Sequence, residues 1–202
     1  FDTATASAAA ERRVFFLLGA IVEDVLPPGL HGGQLICAQV ELGVLDSLIA
    51  SRLRKLHAHL CAPKAFPTAL TCHIFAAEWF LGCFAGVLPA ETTCRVIDTL
   101  VSEGAKVLHR FSLAVLSDLE HTLLSCKDAS SALAALRAGT AAMHDREALV
   151  RRAFNGRVCW KLSGAQLEAM RAKHKLGPAA ATYLNFTPTD VEMAVRVGAA
   201  PP

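Results

Sequence analysis

The sequence predicts an all-α fold, an irregular lobe of about seven or eight helices, on three observations. Apolar residues recur at intervals of three and four along most of the 202 residues, which is the spacing of an amphipathic helix. Alternating runs of Val, Ile and Thr bounded by hairpin turns are nearly absent, so strands are not expected. Proline and glycine separate the periodic segments, whose unequal lengths argue against a repeat architecture.

Two helices are predicted in the first third of the chain. Residues 1–12 are small, polar or alanine, and this composition is typical of a linker or frayed lead. Apolar positions within residues 14–25 follow the helical period until Pro27 and Pro28 end it. The period resumes over residues 42–60, which predicts a long second helix that stops before the next prolines.

Six further segments complete the predicted lobe. They are an apolar segment, 70–88, which contains EWFLGCFAGVLP, and helices near 91–102, 107–126, 130–137, 145–154 and 163–176. Gly104 can end a helix with a left-handed conformation, and Ser163 with Gln166 forms a capping box that starts the last helix. Residues 13–178 are therefore predicted to form one lobe. The Ala- and Pro-rich residues 179–202 are predicted to be a weakly docked or disordered tail.

Composition and charge exclude several classes of function. Lys and Arg total 20 against 18 Asp and Glu, a formal net charge of +2, so no global field recruits nucleic acid or an anionic membrane. No apolar run approaches the ~20 residues of a bilayer span, so no transmembrane segment is predicted. The chain starts at Phe1 without a visible secretory signal, and we expect it to be a piece of a longer protein.

The cysteines predict reduced thiols rather than a disulfide framework or a metal site. Their odd number, seven, and the absence of C-x-x-C are typical of a cytoplasmic protein. Four of them are spaced eleven residues apart and would share one face of a continuous helix, but intervening prolines break any such helix. We favour buried apolar thiols over zinc binding for these four, Cys61, Cys72, Cys83 and Cys94.

Other candidate sites also have simpler structural explanations. His57 and His59 are two residues apart and point in different directions on a helix, so a solvated or capping role is favoured over chelation. Neither a nucleophile elbow nor a phosphate-binding glycine loop is present. A solvated helix face is favoured over an anionic-surface site for the basic cluster near Trp160, which comprises Arg151, Arg152, Arg157, Lys161, Arg171, Lys173 and Lys175. No catalytic, cofactor-binding or metal-binding residue is therefore assigned.

The order of four segments resembles the C-terminal half of the TBC domain, the catalytic domain of Rab GTPase-activating proteins. The segments are FFLLGAIVEDVLP, DSLI with LRKLHAHL, EWFLGCFAGVLP, and RVIDTLVSEGAKVLHRFSLAVL. The most specific matches are Trp79-Phe80-Leu81 with Phe84, Leu88 and Pro89, and Asp98-x-Leu100-x-x-Glu103-Gly104. DREALV with Ala153-Phe154 looks like the closing helices of the family, so the likeness covers residues 14–175.

The resemblance implies a helical lobe with Trp79 and Phe84 inside it. It also implies that Asp98 and Glu103 anchor a helix end and a loop. Ile97 departs from the family, which often has Trp before that Asp, but an apolar replacement preserves the packing.

The resemblance also predicts what this chain lacks. Family members supply an Arg from an I-x-x-D-x-x-R motif and a Gln from a Y-x-Q motif, both in the N-terminal half, to the transition state of GTP hydrolysis. Here Ile21-x-x-Asp24 is followed by Pro27, and the single tyrosine begins Tyr183-Leu184-Asn185. The chain alone is therefore expected to be inactive, with GTP and Mg²⁺ bound by the partner GTPase.

The functional hypothesis is a part of a GTPase-activating protein that stimulates GTP hydrolysis by a Rab-family small GTPase. Its expected partners are that Rab and the N-terminal half of its own TBC domain, with no nucleic acid. Its expected location is the cytoplasm, including the periphery of trafficking membranes. A TBC protein without fingers, a non-enzymatic helical adaptor and a small metalloprotein remain as alternatives.

Overall fold

The computed structural model describes residues 3–32, 35–62 and 70–175, and the predicted tail lies outside them. The described residues contain ten α-helices, eight of seven residues or more, and no strand, so the all-α prediction is confirmed. The helices are α1 Thr3–Ala20, α2 Ile36–Arg52, α3 Arg54–Leu60, α4 Cys72–Phe75, α5 Ala77–Leu81, α6 Ala90–Glu103, α7 Lys106–Ser125, α8 Ala129–Ala141, α9 Arg146–Asn155 and α10 Gly164–Lys175. A bilayer span would need a longer or more apolar helix than any in these ranges.

The first helix begins earlier than the sequence predicts. Residues 1–12 are expected to be a linker or frayed lead, but α1 already starts at Thr3. Five of the eight residues from Thr3 to Ala10 are alanine, the residue with the highest helix propensity, so this segment forms a helix without an apolar face of its own. One π-helical turn, Ile21–Val25, follows α1 and leads into the predicted proline stop.

The predicted second helix is divided in two at Leu53. This residue leaves the helical conformation, with φ −120° and ψ 53°, although its N–H still donates to the carbonyl of Ile49 at 2.8 Å. Leu53 and Leu56 are both buried, so the apolar period is the same on the two sides of the break. Periodicity alone therefore cannot reveal the division.

Helix α7 is the centre of the core. It packs against α6, α8 and α9 and also contacts α2, α3 and α5. Its buried side chains occupy several faces, which is the pattern of a central helix. They are Val107, Leu108, His109, Phe111, Ser112, Leu113, Ala114, Val115, Leu116 and Leu123.

The EWFLGCFAGVLP segment lies inside the lobe, as predicted. Trp79 is only 2% exposed and Phe84 is fully buried. The two rings stack with centroids 5.6 Å apart and planes at 27°. After α5, Cys83 and Phe84 adopt positive φ values of 47° and 65°, and this tight turn brings Phe84 back onto Trp79. The strain of such a turn is on the order of 1–3 kcal/mol, which the burial of two large rings offsets.

The connection between α6 and α7 confirms two of the three expected anchors. Gly104 has φ 80° and ψ −177°, a conformation that is nearly restricted to glycine, and its N–H donates to Leu100 at 2.9 Å. Glu103 bridges the turn to Lys106 at 2.7 Å. The anchoring role expected of Asp98 is wrong, because this residue is exposed within α6 rather than at its end.

The last helix is fastened to α2 by a buried polar cluster. The predicted capping box starts it, with Ser163 and Gln166 exchanging two 3.3 Å hydrogen bonds. Arg171 then donates through Nε and Nη2 to the two carboxylate oxygens of Glu41, at 2.6 and 2.9 Å, and Glu41 is only 1% exposed. Such a bidentate pair combines charge with fixed geometry.

Close helix packing reinforces this attachment at Gly43. A Cβ atom at Gly43 would lie 2.7 Å from Nδ1 of His174, so the absence of a side chain lets α10 approach α2. His174 Nε2 also lies 3.0 Å from the hydroxyl of Ser47. Arg171 and His174 lie three residues apart on α10 and so share one face of that helix, which is held to α2 at both residues.

His109 of α7 completes the cluster as a neutral side chain. It is fully buried, and its Nε2 lies 3.3 Å from the carbonyl oxygen and 3.5 Å from a carboxylate oxygen of Glu41. Its ring meets Phe80 edge-on at 4.9 Å. Burial, together with the positive charge of Arg171, lowers the pKa of His109 from 6.5 to about 3. Protonation of this imidazole is therefore opposed in the folded chain.

Replacing Trp79 with Ala should lower the free energy of unfolding by about 3–5 kcal/mol, because a buried indole is lost and leaves a cavity. Urea unfolding measures this change. Trp160→Ala is the matched control: Trp160 is 63% exposed, so its loss should cost no more than about 0.5 kcal/mol. Equal losses for the two variants would contradict the core position of Trp79.

His109 should make the fold sensitive to acid. Between pH 6.5 and about 3 the unfolded imidazole binds a proton that the folded one does not, so stability falls as pH decreases through 6.5. His109→Gln should reduce the slope of unfolding free energy against pH by up to about 1.4 kcal/mol per pH unit. An unchanged slope in His109→Gln would refute this account.

Candidate protein-docking interface

Helix α1 carries a row of large apolar side chains that the described residues leave uncovered. Five consecutive residues, here called the α1 apolar face, are 50–71% exposed: Val14, Phe15, Phe16, Leu17 and Leu18. The rings of Phe15 and Phe16 contact each other edge-on at 5.8 Å, and Arg12 lies over Phe16 at 5.8 Å. Both of these ring contacts lie within α1 itself.

The position of these residues on the helix indicates how they are used. Five consecutive apolar residues surround most of a helix rather than forming one stripe, and a helix that is apolar on most sides is a buried helix. Burying five such side chains would contribute on the order of 10 kcal/mol, at about 2 kcal/mol each. Exposed apolar patches of this kind mark protein interfaces.

A crevice lies at the foot of α1. It encloses about 400 Å³ between the turn that follows α1, helix α2 and helix α10. Its walls are apolar at Leu26, Pro27 and Val40 and charged at Glu168 and Arg171. Arg171 donates to both Glu41 and Glu168, so the charged wall is already paired. The π-helical turn Ile21–Val25 follows α1 and contributes to this crevice, and we treat the α1 apolar face and the crevice together as the candidate interface.

The near-match to the arginine-finger motif lies at this crevice but cannot supply the finger. Ile21 is buried in the π-helical turn, whereas Asp24 is exposed and lines the crevice. Pro27, also in the lining, occupies the position where the motif requires Arg. The near-match to the glutamine motif, at Tyr183, lies outside the described residues.

The two histidines of the H-x-H pair have separate structural partners. His59 Nε2 lies 2.9 Å from the carbonyl oxygen of Cys126, the residue that follows α7. His57 lies 3.6 Å from Asp46.

The seven cysteines lie on several different elements, and none of them forms a disulfide bond. The described ranges contain no group of three or more His, Cys, Asp or Glu side chains placed to hold a metal ion. Cys72 donates to the carbonyl of Leu42 at 3.0 Å, and burial, reinforced by the nearby Asp46 charge, raises the pKa of this thiol. Burial likewise raises the pKa of Cys159 to about 11.

The predicted basic cluster is divided by the fold. Arg171 turns inward to Glu41, so its assignment to a solvated face is wrong, and Arg152 pairs with Asp118. Arg157 and Lys161 remain exposed beside Trp160. Sequence reasoning missed that Glu41 is the partner of Arg171. The signal was available, because Glu41 is the acidic residue in the otherwise apolar run VELGVL.

Comparison with known proteins agrees with this helical architecture. A family model described as the Rab-GTPase-TBC domain matches residues 5–124. TBC1 domain family member 2A of Mus musculus is 32% identical over 165 residues, which are 82% of this chain and 17% of that protein. Small G protein signaling modulator 3 of Homo sapiens is 29% identical over 164 residues, 81% of this chain and 21% of that protein.

A solved structure shows the same fold. The crystal structure of the Chlamydomonas flagellar RabGAP TBC domain superimposes with a TM-score of 0.62 at 35% sequence identity, over 72% of this chain and 46% of that chain. The chain thus spans less than half of that TBC domain chain and about a fifth of the curated relatives. From the matched residues, the relatives and the shared fold, we conclude that the chain belongs to the Rab-GTPase-TBC domain family.

Proposed function

We propose that these residues form the C-terminal lobe of a TBC domain, whose complete form stimulates GTP hydrolysis by a Rab-family small GTPase in the cytoplasm. Family membership supports the reaction and the class of partner. The observation that carries the proposal is the α1 apolar face, which is large and which the described residues leave uncovered. The chain spans 46% of a solved TBC domain chain, so the complete domain has further residues that could cover this face.

The first role of this lobe is to support the other half of its own domain. The α1 apolar face binds the N-terminal half, and the crevice between α2 and α10 receives part of the same surface. The buried pair of Glu41 and Arg171 keeps the crevice wall in place before the halves meet. Such preorganisation lowers the cost of forming the interface.

The second role concerns the GTPase reaction itself. Hydrolysis is accelerated by an arginine that neutralises charge on the transferred phosphoryl group and by a glutamine that orients the attacking water. Neither the I-x-x-D-x-x-R nor the Y-x-Q motif occurs in the 202 residues, so we propose that both side chains come from the other half. The chain alone is inactive on this account, and GTP and Mg²⁺ belong to the GTPase.

The same absence supports a second candidate function, a TBC protein without fingers that binds GTPases and leaves their hydrolysis rate unchanged. The two candidates differ only in the residues of the other half. A solenoid-type adaptor fits less well, because the helices range from 4 to 20 residues and do not stack as equal pairs.

Single-turnover GTP hydrolysis with a panel of Rab GTPases tests the proposal. The chain alone should leave the intrinsic rate unchanged, and the chain joined to its N-terminal half should raise the rate of at least one Rab by about 10³-fold or more. Replacing the motif arginine of that half with alanine is the matched control and should remove the acceleration. Acceleration by the chain alone would contradict the account of the missing fingers, and no acceleration by the joined halves would favour the finger-less alternative.

A further inference from the structure

An exposed tryptophan stands on a rigid turn between α9 and α10. Trp160 is 63% exposed and follows the 3₁₀ turn Arg157–Cys159. Two exposed cations, Arg157 and Lys161, flank it. We call these three residues, Arg157, Trp160 and Lys161, the Trp160 patch.

The backbone of this turn is fixed by two arginines from the core. Arg52 Nη1 donates to the carbonyls of Val158 and Trp160, at 2.6 and 2.9 Å. Arg110 Nη2 donates to the carbonyl of Leu162 at 2.7 Å. Trp160 is therefore exposed on a backbone that these hydrogen bonds hold in place, and not on a loose loop.

The turn is also strained in a way that directs side chains outward. Lys161 has a φ of 56°, which non-glycine residues rarely adopt. Cys159 and Leu162, which flank Trp160 and Lys161 in sequence, are both buried. The chain therefore enters the core at these two residues, and Trp160 and Lys161 lie at the surface between them. Strain of this kind persists only where the surroundings enforce it.

The charge beside Trp160 is positive. Arg52 and Arg110 use their guanidinium groups on carbonyl oxygens, and no carboxylate among the described residues forms a salt bridge with either of them. The same holds for Arg157 and Lys161. Two exposed cations, Arg157 and Lys161, therefore accompany the exposed indole of Trp160, although the whole chain carries a formal charge of only +2.

We propose that the Trp160 patch docks the protein on anionic lipid membranes. Tryptophan prefers the boundary between the polar headgroups and the hydrocarbon, because its ring is apolar and its N–H needs a polar partner. Lys and Arg beside it are attracted to the negative surface potential of acidic lipids. An acidic peptide would also satisfy the cations, but it would give the protruding indole no hydrocarbon to enter. This inference does not rest on the proposed GTPase function.

Vesicle binding and tryptophan emission test this proposal with the full chain. The chain should sediment with vesicles that contain phosphatidylserine and not with vesicles of phosphatidylcholine alone, and binding should weaken as salt is raised. The chain has two tryptophans, and Trp79 is buried, so a blue shift of emission on binding reports Trp160 entering the bilayer. Equal binding to both vesicle types would overturn the proposal.

Variants test whether the Trp160 patch, and not another surface such as the α1 apolar face, binds the vesicles. Trp160→Ala should weaken vesicle binding about tenfold or more, given the apolar area removed. Arg157→Glu with Lys161→Glu should weaken it further, whereas Lys127→Glu with Arg137→Glu, two exposed cations elsewhere, changes net charge equally and should have a much smaller effect. The proposal is overturned if these patch variants bind like the unmodified chain, or if a soluble polyglutamate competes fully and the emission of Trp160 never shifts.

Discussion

The stacking of Trp79 on Phe84 is the contact on which the rest of the lobe depends. Ring contacts continue from Phe84 to Phe111 of α7 at 6.4 Å, and from Phe111 to Phe154 of α9 at 6.5 Å. These rings join three helices that are far apart in sequence. Because protein interiors are close-packed, the position of each ring restricts the others, and the positions of α5, α7 and α9 are set together.

Close packing also accounts for the uneven burial of apolar side chains across the molecule. Most apolar side chains of α7 are buried, and the charges of Glu41 and Arg171 satisfy each other. The α1 apolar face has no such cover among the described residues. This contrast supports the proposal that the chain is one lobe of a larger TBC domain, and membership in the TBC family is consistent with that proposal.

Much of the fold was predictable because its signals are local. The capping box at Ser163, the positive φ at Gly104 and the apolar period of α7 depend on residues within a few positions of each other. The break at Leu53 was not predictable, since the apolar period continues across it. The pairing of Arg171 with Glu41 joins residues 130 apart in sequence, and such a pairing becomes visible only when α10 lies on α2. Sequence alone also could not show that the described residues leave the α1 apolar face uncovered.

Amide hydrogen exchange of α1 tests the central claim most directly. Measured on the chain alone and then on the chain joined to the N-terminal half, exchange should slow markedly at residues 14–18 in the joined form, because burial of the α1 apolar face suppresses local opening of the helix. The amides around Trp79 should be protected in both forms. If residues 14–18 exchange equally fast in the two forms, α1 is not the seam between two halves of a TBC domain.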